Sequence, residues 1–278
     1  MGYTKHGSAR ASTERAASSS ADLSDPDTPE MPDTRHLNYA PITEAIFDIR
    51  VKARPGFDPH RFASLKPKLA DSFPKVDDRV GKQFTFQLTP AGPRPPEIQD
   101  LGLQGYFFKS QDEKLIAQFR IDGFTLNRLR PYTSWGELFP VAQELWGLYV
   151  ETAEPERATR VATRYINKIT LPPNPPELTH YLSTPPRLPA NLDAEMLASL
   201  TRTTIRYRHR ESSAHVTQAL NLDESSGTWT LLLDIDTFSD VSLLPGDSQL
   251  VALFAQLRKF KNMIFFSWLT ESAIGVYE

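Results

Sequence analysis

Residues 44–54, EAIFDIRVKAR, set the fold class of this chain. Apolar side chains alternate there with mostly charged ones, so that an extended segment has one apolar face and one polar face. The apolar face carries Ala45, Phe47, Ile49, Val51 and Ala53. This period of two predicts a β-strand with one side buried against a core and the other side exposed.

The same signals recur on the C-terminal side of this strand. A short helix is predicted after Asp58, with Pro67 limiting its length. A long helix is predicted after Ser134, because Ser134 and Glu137 form a capping-box pair. Between the two helices the sequence predicts an antiparallel meander over residues 82–88, 103–109, 115–121 and 124–129.

The second part of the chain shows a similar succession of elements. A strand over 157–171 leads into a loop over 171–189, in which seven of nineteen residues are proline, and then into a weak helix over 193–200. Three strands are predicted next, over 201–210, 215–223 and 228–238, followed by a long helix capped by Asp247 or Ser248.

These elements predict an α+β protein with antiparallel sheets and long packed helices. The order repeats, so a pseudo-duplicated β-α-β-β-β(-β)-α arrangement is expected, which resembles the saddle of TATA-binding proteins and other helix-grip folds. Residues 1–36 contain almost no large apolar side chain and are expected to be a disordered tail. Residues 37–153 and 154–278 are expected to form two halves of one compact unit.

Composition and charge restrict the function classes. The chain has no cysteine, which excludes disulfides, thiolate metal sites and a cysteine nucleophile. The chain has 31 basic residues (Lys and Arg) and 34 acidic residues (Asp and Glu). Three of the basic and six of the acidic residues lie in residues 1–34, so the remainder of the chain carries 28 basic and 28 acidic residues. No uninterrupted apolar run approaches the length of a membrane span, and a cytoplasmic protein without a membrane partner is expected.

Four segments of the chain, taken together, resemble a known protein family. They are residues 39–50 (YAPITEAIFDIR), 127–135 (NRLRPYTSW), 164–169 (RYINKI) and 233–236 (LDID). The family is a sporadically distributed set of uncharacterised prokaryotic proteins, and the likeness spans residues 38–268. The resemblance implies no activity, but a patchy distribution suggests mobile genes in toxin–antitoxin or phage-defence neighbourhoods.

Basic side chains are concentrated on the predicted strands. Strand alternation puts four arginines of residues 201–210 on one face, and further basic faces are predicted on the strands that open each half. Such rows need an anion opposite them, either a phosphate backbone or neighbouring carboxylates. The candidate partner-binding residues are Arg160, Arg164, Lys168, Arg202, Arg206, Arg208 and Arg210.

Three aspartates admit two interpretations. Asp223, Asp234 and Asp236 are within reach of the arginine row in an antiparallel sheet, which would make that row a salt-bridged surface. The same three carboxylates are candidate ligands of a divalent cation in a nuclease-like or phosphoryl-transfer enzyme. The six histidines show no metal-ligand spacing, and no nucleophile elbow, Walker loop or Rossmann fingerprint is present.

The leading hypothesis is therefore a non-enzymatic binding module that recognises a macromolecular partner and needs no cofactor. A protein partner is favoured over nucleic acid, because the folded part of the chain is electrically neutral. Homo-oligomerisation stays open. The competing hypothesis is the metal-dependent enzyme built on the three aspartates.

Overall fold

Nine strands of the chain form one sheet. The computed structural model describes residues 35, 37–85, 88–89, 92–93, 97–173, 177–208 and 211–278. The predicted disordered tail, residues 1–36, therefore lies outside the described residues except at position 35. In chain order the strands are β1 (Ile42–Lys52), β2 (Lys75–Thr85), β3 (Leu88–Thr89), β4 (Gly92–Pro93), β5 (Glu97–Lys109), β6 (Leu115–Arg120), β7 (Gly123–Leu129), β8 (Arg157–Pro173), β9 (Ala198–Arg206), β10 (Ser213–Asp223) and β11 (Thr228–Leu243).

The strands of the sheet are all antiparallel to their neighbours. Their order is β2-β5-β6-β7-β1-β8-β11-β10-β9, and β3 and β4 form a separate two-stranded hairpin. The antiparallel meander predicted before the first long helix is confirmed as β2-β5-β6-β7. The two edges of the sheet are β2 and β9.

The two halves of the chain follow the same route through this sheet. β1 and β8 pair with each other in the middle. From β1 the chain goes to the edge strand β2 and returns through β5 and β6 to β7, which lies beside β1. From β8 it goes to the edge strand β9 and returns through β10 to β11, which lies beside β8. A long helix follows each return. The α-helices are α1 (Lys66–Leu69), α2 (Trp135–Ala153), α3 (Gln249–Trp268) and α4 (Glu271–Ile274), and 3-10 helices cover Pro59–Leu65, Leu178–His180 and Gly275–Tyr277.

Both long helices pack on the same face of the sheet. The Phe47 ring of β1 lies 5.0 Å from the Trp135 ring of α2 and 5.7 Å from the Phe254 ring of α3, measured between centroids. The buried residues of α2 and α3 belong to the apolar clusters on this face. The predicted α+β class is therefore confirmed. No helix in the described part of the chain is long and apolar enough to cross a membrane.

The caps of the long helices agree with the sequence. Ser134 Oγ accepts a hydrogen bond of 3.2 Å from the backbone N–H of Glu137, as a capping box requires. Asp247 Oδ1 accepts a 2.9 Å hydrogen bond from the N–H of Gln249 at the start of α3. Both helices therefore begin where the polar side chains predict, because those side chains bind N–H groups that have no partner within the helix.

The helix predicted over residues 193–200 is wrong. Residues 192–197 have no regular structure, and β9 begins at Ala198 and pairs with β10. Leu192, Leu197 and Leu200 are all exposed, so a helix here would bury no apolar face. A segment this short does not form a stable helix in water without such packing, whereas pairing with β10 supplies backbone hydrogen bonds.

Candidate functional site

Charged side chains of the central strands meet on the sheet face opposite α2 and α3. We call this surface the open face. Side chains alternate along β1, β8 and β11. Those of the open face point away from the helices, since the residues before and after them in the chain are buried in the core. The charged residues at its centre are Asp48, Arg120, Arg160, Arg164, Asp234 and Asp236.

Two of the three β8 arginines bind two of the three β11 aspartates. Arg164 donates from Nε and Nη2 to the two oxygens of Asp234 at 2.8 and 2.7 Å, a bidentate geometry. Arg160 donates from Nη2 to both oxygens of Asp236 at 3.1 and 2.9 Å. The Asp234 hydrogen bonds raise the pKa of Arg164 above its usual value. Two of the predicted anion-binding arginines are therefore already neutralised within the sheet.

Asp48 extends this network to β1 and β6. Its Oδ1 accepts hydrogen bonds from Thr125 Oγ1 at 2.8 Å and from Arg120 Nη2 at 3.1 Å, and its Oδ2 lies 3.4 Å from Arg160 Nη1. The guanidinium of Arg160 also lies 4.6 Å from the centroid of the Phe238 ring. The centre of the open face is thus a connected set of ion pairs, which agrees with the salt-bridged interpretation for this part of the surface.

One interpretation of the sequence expected the aspartates to neutralise the β9 arginines. In the structure Asp234 and Asp236 do not pair with them. β10 lies between β9 and β11, and Asp234 and Asp236 face Thr217 and His215 of β10. Two strand spacings of about 4.8 Å therefore separate the aspartates from β9. They pair with β8 on their other side instead.

The predicted row of four arginines is shorter than the sequence indicated. β9 ends at Arg206. Beyond it the N–H of Tyr207 donates to Ser212 O, and the Tyr207 ring stacks on Phe260. Arg208 lies in the turn that follows, and Arg210 lies outside the described residues. Arg202 and Arg206 share the open-face side of β9.

The β9 arginines differ from those of β8 in having no ion pair. Arg202, Arg206 and Arg208 are exposed, and no carboxylate of the described residues lies within 4.0 Å of any of them. Lys168 of β8 is likewise exposed, and the described residues give it no ion pair. The candidate basic residues therefore divide into a paired group in the middle of the sheet and an unpaired group that is densest along β9.

β9 also exposes apolar surface beside its arginines. Leu200 lies on the same side as Arg202 and Arg206, and its side chain is 73% exposed. Together with Thr204 they form what we call the β9 stripe: Leu200, Arg202, Thr204 and Arg206. A depression of about 660 Å³ adjoins its C-terminal end, where Phe238, Glu211 and Asp240 lie near Arg206 and Arg208. The stripe and the depression present apolar, basic and acidic groups together.

The structure does not bring the three aspartates together as metal ligands. Asp223 ends β10 and closes a turn, where its Oδ1 accepts hydrogen bonds from the backbone N–H and Oγ of Ser225 at 3.0 and 2.6 Å. Asp234 faces Thr217, which is six residues or about 20 Å along β10 from Asp223. The described residues contain no group of three His, Asp or Glu side chains placed to hold a metal ion.

A polar pocket between α2 and α3 was not predicted. It has a volume of about 220 Å³ and lies where the start of α2, the end of β1 nearest the N-terminus, β8 and α3 meet. We call it the central pocket and define it by the polar residues Tyr132, Ser134, Tyr165, Asn167, Arg258, Lys261 and Asn262. Residues 39–50, 127–135 and 164–169, quoted above for the family resemblance, all contribute to its lining.

Titratable groups of the central pocket are perturbed by burial. Burial, with a further contribution from the Arg258 guanidinium, lowers the pKa of Lys261 to about 7. Burial raises the pKa of Tyr132 and of Tyr165, whose hydroxyl oxygens lie 3.4 Å apart. Both tyrosines therefore stay neutral at physiological pH and do not compensate a cation.

Sequence periodicity could not have identified this pocket. Arg258 and Lys261 have the spacing of the solvated face of an amphipathic helix, and that interpretation is the usual one for such a pair. The arrangement depends on α2 and α3 lying side by side, which no local pattern encodes. No protein-family model matches the chain, and no curated protein shows a significant match to it.

Proposed function

We propose that this chain is a non-enzymatic binding module that recognises a partner protein through β9. The observation that supports the proposal is the contrast between Arg160 and Arg164 of β8, which are ion-paired, and the arginines of the β9 stripe, which have no ion pair among the described residues. Unpaired guanidiniums on an edge strand are free to bind carboxylates of an incoming chain. The proposal includes a cytoplasmic role in a toxin–antitoxin or phage-defence setting, which the family resemblance suggested.

The partner we propose is an extended segment that carries acidic and apolar side chains and adds to the edge of the sheet. Among the described residues β9 pairs only with β10, so its outer backbone groups have no strand partner there and could pair with a further strand. Acidic side chains on the added strand would lie opposite Arg202 and Arg206, and an apolar one opposite Leu200.

Nucleic acid is the less favoured partner. Apart from Lys168, the unpaired candidate basic residues that the structure describes lie on β9 and the turn after it, and Glu211 and Asp240 line the depression beside them. A phosphate backbone laid across the open face would also meet the carboxylates of the central ion-pair network. A mixed apolar and charged surface suits a protein better, because protein interfaces combine both.

We also propose that the two halves arose by duplication and are arranged as in TATA-binding proteins. The matching routes of β1 to α2 and of β8 to α3 support this. The metal-dependent enzyme gains no support from the described residues, since Asp234 and Asp236 are each held by an arginine.

The test is capture of partners from an extract of the native host by the full-length chain. We expect the double variant Arg202→Glu/Arg206→Glu to lose a specific protein that the wild type retains, because charge reversal repels the acidic segment. Lys68→Glu/Lys82→Glu is the matched control, since it makes the same charge change on exposed residues of the first half. Retention of the same proteins by both variants would remove the β9 stripe from the proposal.

A direct measurement separates nucleic acid from protein. Fluorescence anisotropy of labelled single- and double-stranded oligonucleotides with the full-length chain should show no tight binding at low salt. Sub-micromolar binding that weakens steeply with added salt would instead identify the β9 arginines as a phosphate-binding surface.

A further inference from the structure

The central pocket contains cations without acidic partners. Its lining includes Arg258 and Lys261 of α3 and no aspartate or glutamate. Arg35, at its edge, is the exception among the cations, since it forms ion pairs with Glu271 and Glu278. Among the described residues, no carboxylate lies within 4.0 Å of Arg258 or Lys261, so the pocket carries excess positive charge.

The two cations contact aromatic rings instead of hydrogen-bond acceptors. Lys261 Nζ lies 4.1 Å from the centroid of the Tyr165 ring, and the Arg258 guanidinium carbon lies 5.3 Å from that of Trp135. Such contacts attract a cation but supply no acceptor for its N–H groups. Within the described part of the chain, neither side chain donates a hydrogen bond, and their donors remain available to a ligand.

Further donors surround the same space. The central pocket includes the first turn of α2, where the N–H groups of Trp135 and Gly136 bond no group of the described residues and the positive end of the helix dipole lies. The hydroxyl of Tyr132 and the side-chain amide of Asn262 also line the pocket. Nearly every polar group here can donate, and the strongest donors are charged.

We propose that the central pocket binds a small oxyanion, the phosphate or carboxylate group of a metabolite-sized ligand. Two cations and a helix N-terminus around one cavity are the groups that proteins use for such anions. A volume of about 220 Å³ is below the roughly 300–1,000 Å³ of pockets that enclose drug-sized ligands. The pocket is therefore suited to a small ligand rather than to a nucleotide.

Anion binding here is linked to a proton. Lys261 has a pKa of about 7, so much of it is neutral above that pH, and a bound anion favours the charged form. Of the other groups that face it, Tyr132 and Tyr165 stay neutral because burial raises their pKa, and Arg35 is paired with Glu271 and Glu278. The remaining charged group is the Arg258 guanidinium. Binding of succinate, which is fully ionised at pH 8, should therefore take up a proton through Lys261, whereas inorganic phosphate itself exchanges protons near this pH.

The test is isothermal titration calorimetry of the full-length chain with inorganic phosphate and, separately, with succinate, in chloride buffers of equal ionic strength. We expect saturable binding of at least one of them. Proton uptake is measured in the succinate titration at pH 8, by comparing buffers of different ionisation enthalpy, because phosphate itself titrates near this pH. Saturation by phosphate alone would identify a phosphate ligand, and saturation by succinate alone would identify a carboxylate. Saturable binding of neither anion would overturn the proposal.

Variants of α3 test whether Lys261 binds the anion and takes up the proton. Lys261→Met should weaken binding about tenfold or more, since it removes a charge-assisted contact. Lys261→Arg should keep binding but lose the proton uptake, because guanidinium does not titrate in this range. Lys259→Met, an exposed position of the same helix, is the matched control and should bind like the wild type. Equal affinity of Lys261→Met and wild type, with unchanged near-ultraviolet circular dichroism, would contradict the proposal.

Discussion

At the scale of single residues, Asp48 has the largest number of charged neighbours on the open face. Arg120, Arg160 and Thr125 all donate to its carboxylate. The Asp48 side chain is only 15% exposed, so these hydrogen bonds replace most of its hydration. A buried carboxylate that is fully bonded contributes little net stability over an apolar residue, but removing it takes away an anion that its cationic partners share.

We therefore expect Asp48→Asn to destabilise the protein by roughly 1–3 kcal/mol, because Arg50, Arg120 and Arg160 lose the carboxylate that they share. The loss is limited because Arg120 still pairs with Asp122 and Arg160 with Asp236. Urea unfolding at neutral pH measures the effect. Asp240→Asn is the control, since Asp240 is an exposed carboxylate of the same face without an ion pair among the described residues, and it should change the stability by less than about 0.5 kcal/mol. Equal effects of the two substitutions would contradict the role of the network.

Lys261 makes stability depend on pH in a defined direction. Its folded-state pKa of about 7 lies below its ordinary value of 10.5, so the unfolded chain binds more protons between these values. The penalty for burying the charge is complete below pH 7 and disappears as the pH rises towards 10.5. Lys261→Met should therefore stabilise the protein more at pH 6.5 than at pH 9.

The expected difference between the two pH values is on the order of 2–3 kcal/mol, from about 1.4 kcal/mol for each unit of pKa. Thermal or urea unfolding in chloride buffers gives this quantity, and anions that bind the central pocket must be absent. Lys259→Met again serves as control and should shift stability equally at both pH values. A pH-independent effect of Lys261→Met would show that its charge is not penalised by folding.

At the scale of elements, the sequence predicted those strands and helices that depend on residues close together in the chain. The period-2 alternation of β1 and the capping box of α2 each depend on residues close in the chain, and both elements formed as expected. The segment 193–200 failed because its structure depends on pairing of β9 with β10, which brings together residues that local propensity does not connect. The end of β9 at Arg206 has the same cause.

Gly105 in β5 illustrates how closely the strands approach. Its φ is +150°, and a Cβ built there would lie 2.0 Å from the carbonyl oxygen of Phe119 in β6. Gly105→Ala should therefore destabilise the protein by roughly 2 kcal/mol or more, through steric overlap with backbone that cannot move. Chemical denaturation measures the change.

The matched control for Gly105→Ala is Gly147→Ala in α2. A Cβ at Gly147 meets no atom within 4 Å, and alanine is the better helix former, so this substitution should stabilise by about 0.5–1 kcal/mol. A loss of stability for Gly105→Ala and a gain for Gly147→Ala would confirm that Gly105 is crowded by the backbone of β6 and that Gly147 is not crowded. A neutral Gly105→Ala would mean that β5 and β6 can separate at this point.

At the scale of the whole molecule, α3 connects the two apolar clusters. Its first part, with Leu250, Phe254 and Leu257, packs into the cluster that contains α2 and β1. Its second part, with Phe260 and Ile264, packs into the cluster under β10 and β11. Residues 35–278 form one compact unit by this arrangement and by the β1–β8 pairing.

The two halves should therefore unfold together. We expect a single calorimetric transition, and we expect Phe254→Ala to lower stability by roughly 3–5 kcal/mol without splitting that transition. Val251→Ala, at a 45% exposed position of the same helix, is the control and should have a much smaller effect. Two separate transitions in the wild type or in Phe254→Ala would show that each half is stable by itself.

The candidate sites were predictable only in part, because they depend on contacts between segments that are far apart in the chain. Arginines on β8 and β9 were identified from strand alternation, but their different pairing depends on the order β8-β11-β10-β9, which the sequence does not state. The central pocket needs four separate segments to meet. Its charged residues are visible in the sequence, but their lack of a counter-charge is visible only in the folded chain.

The position of β1 next to β8 has a consequence for synthesis on the ribosome. All strands beside β1 on one side, together with α2, come from residues 42–153, whereas β8 and α3 come later. At about 5–20 residues per second, on the order of ten seconds pass before α3 is complete. During that time β1 is paired with β7 on one side and has no partner on the side that β8 later occupies, and the Phe47 ring lacks its contact with α3. We expect chaperones that bind emerging chains to act on the protein at this stage.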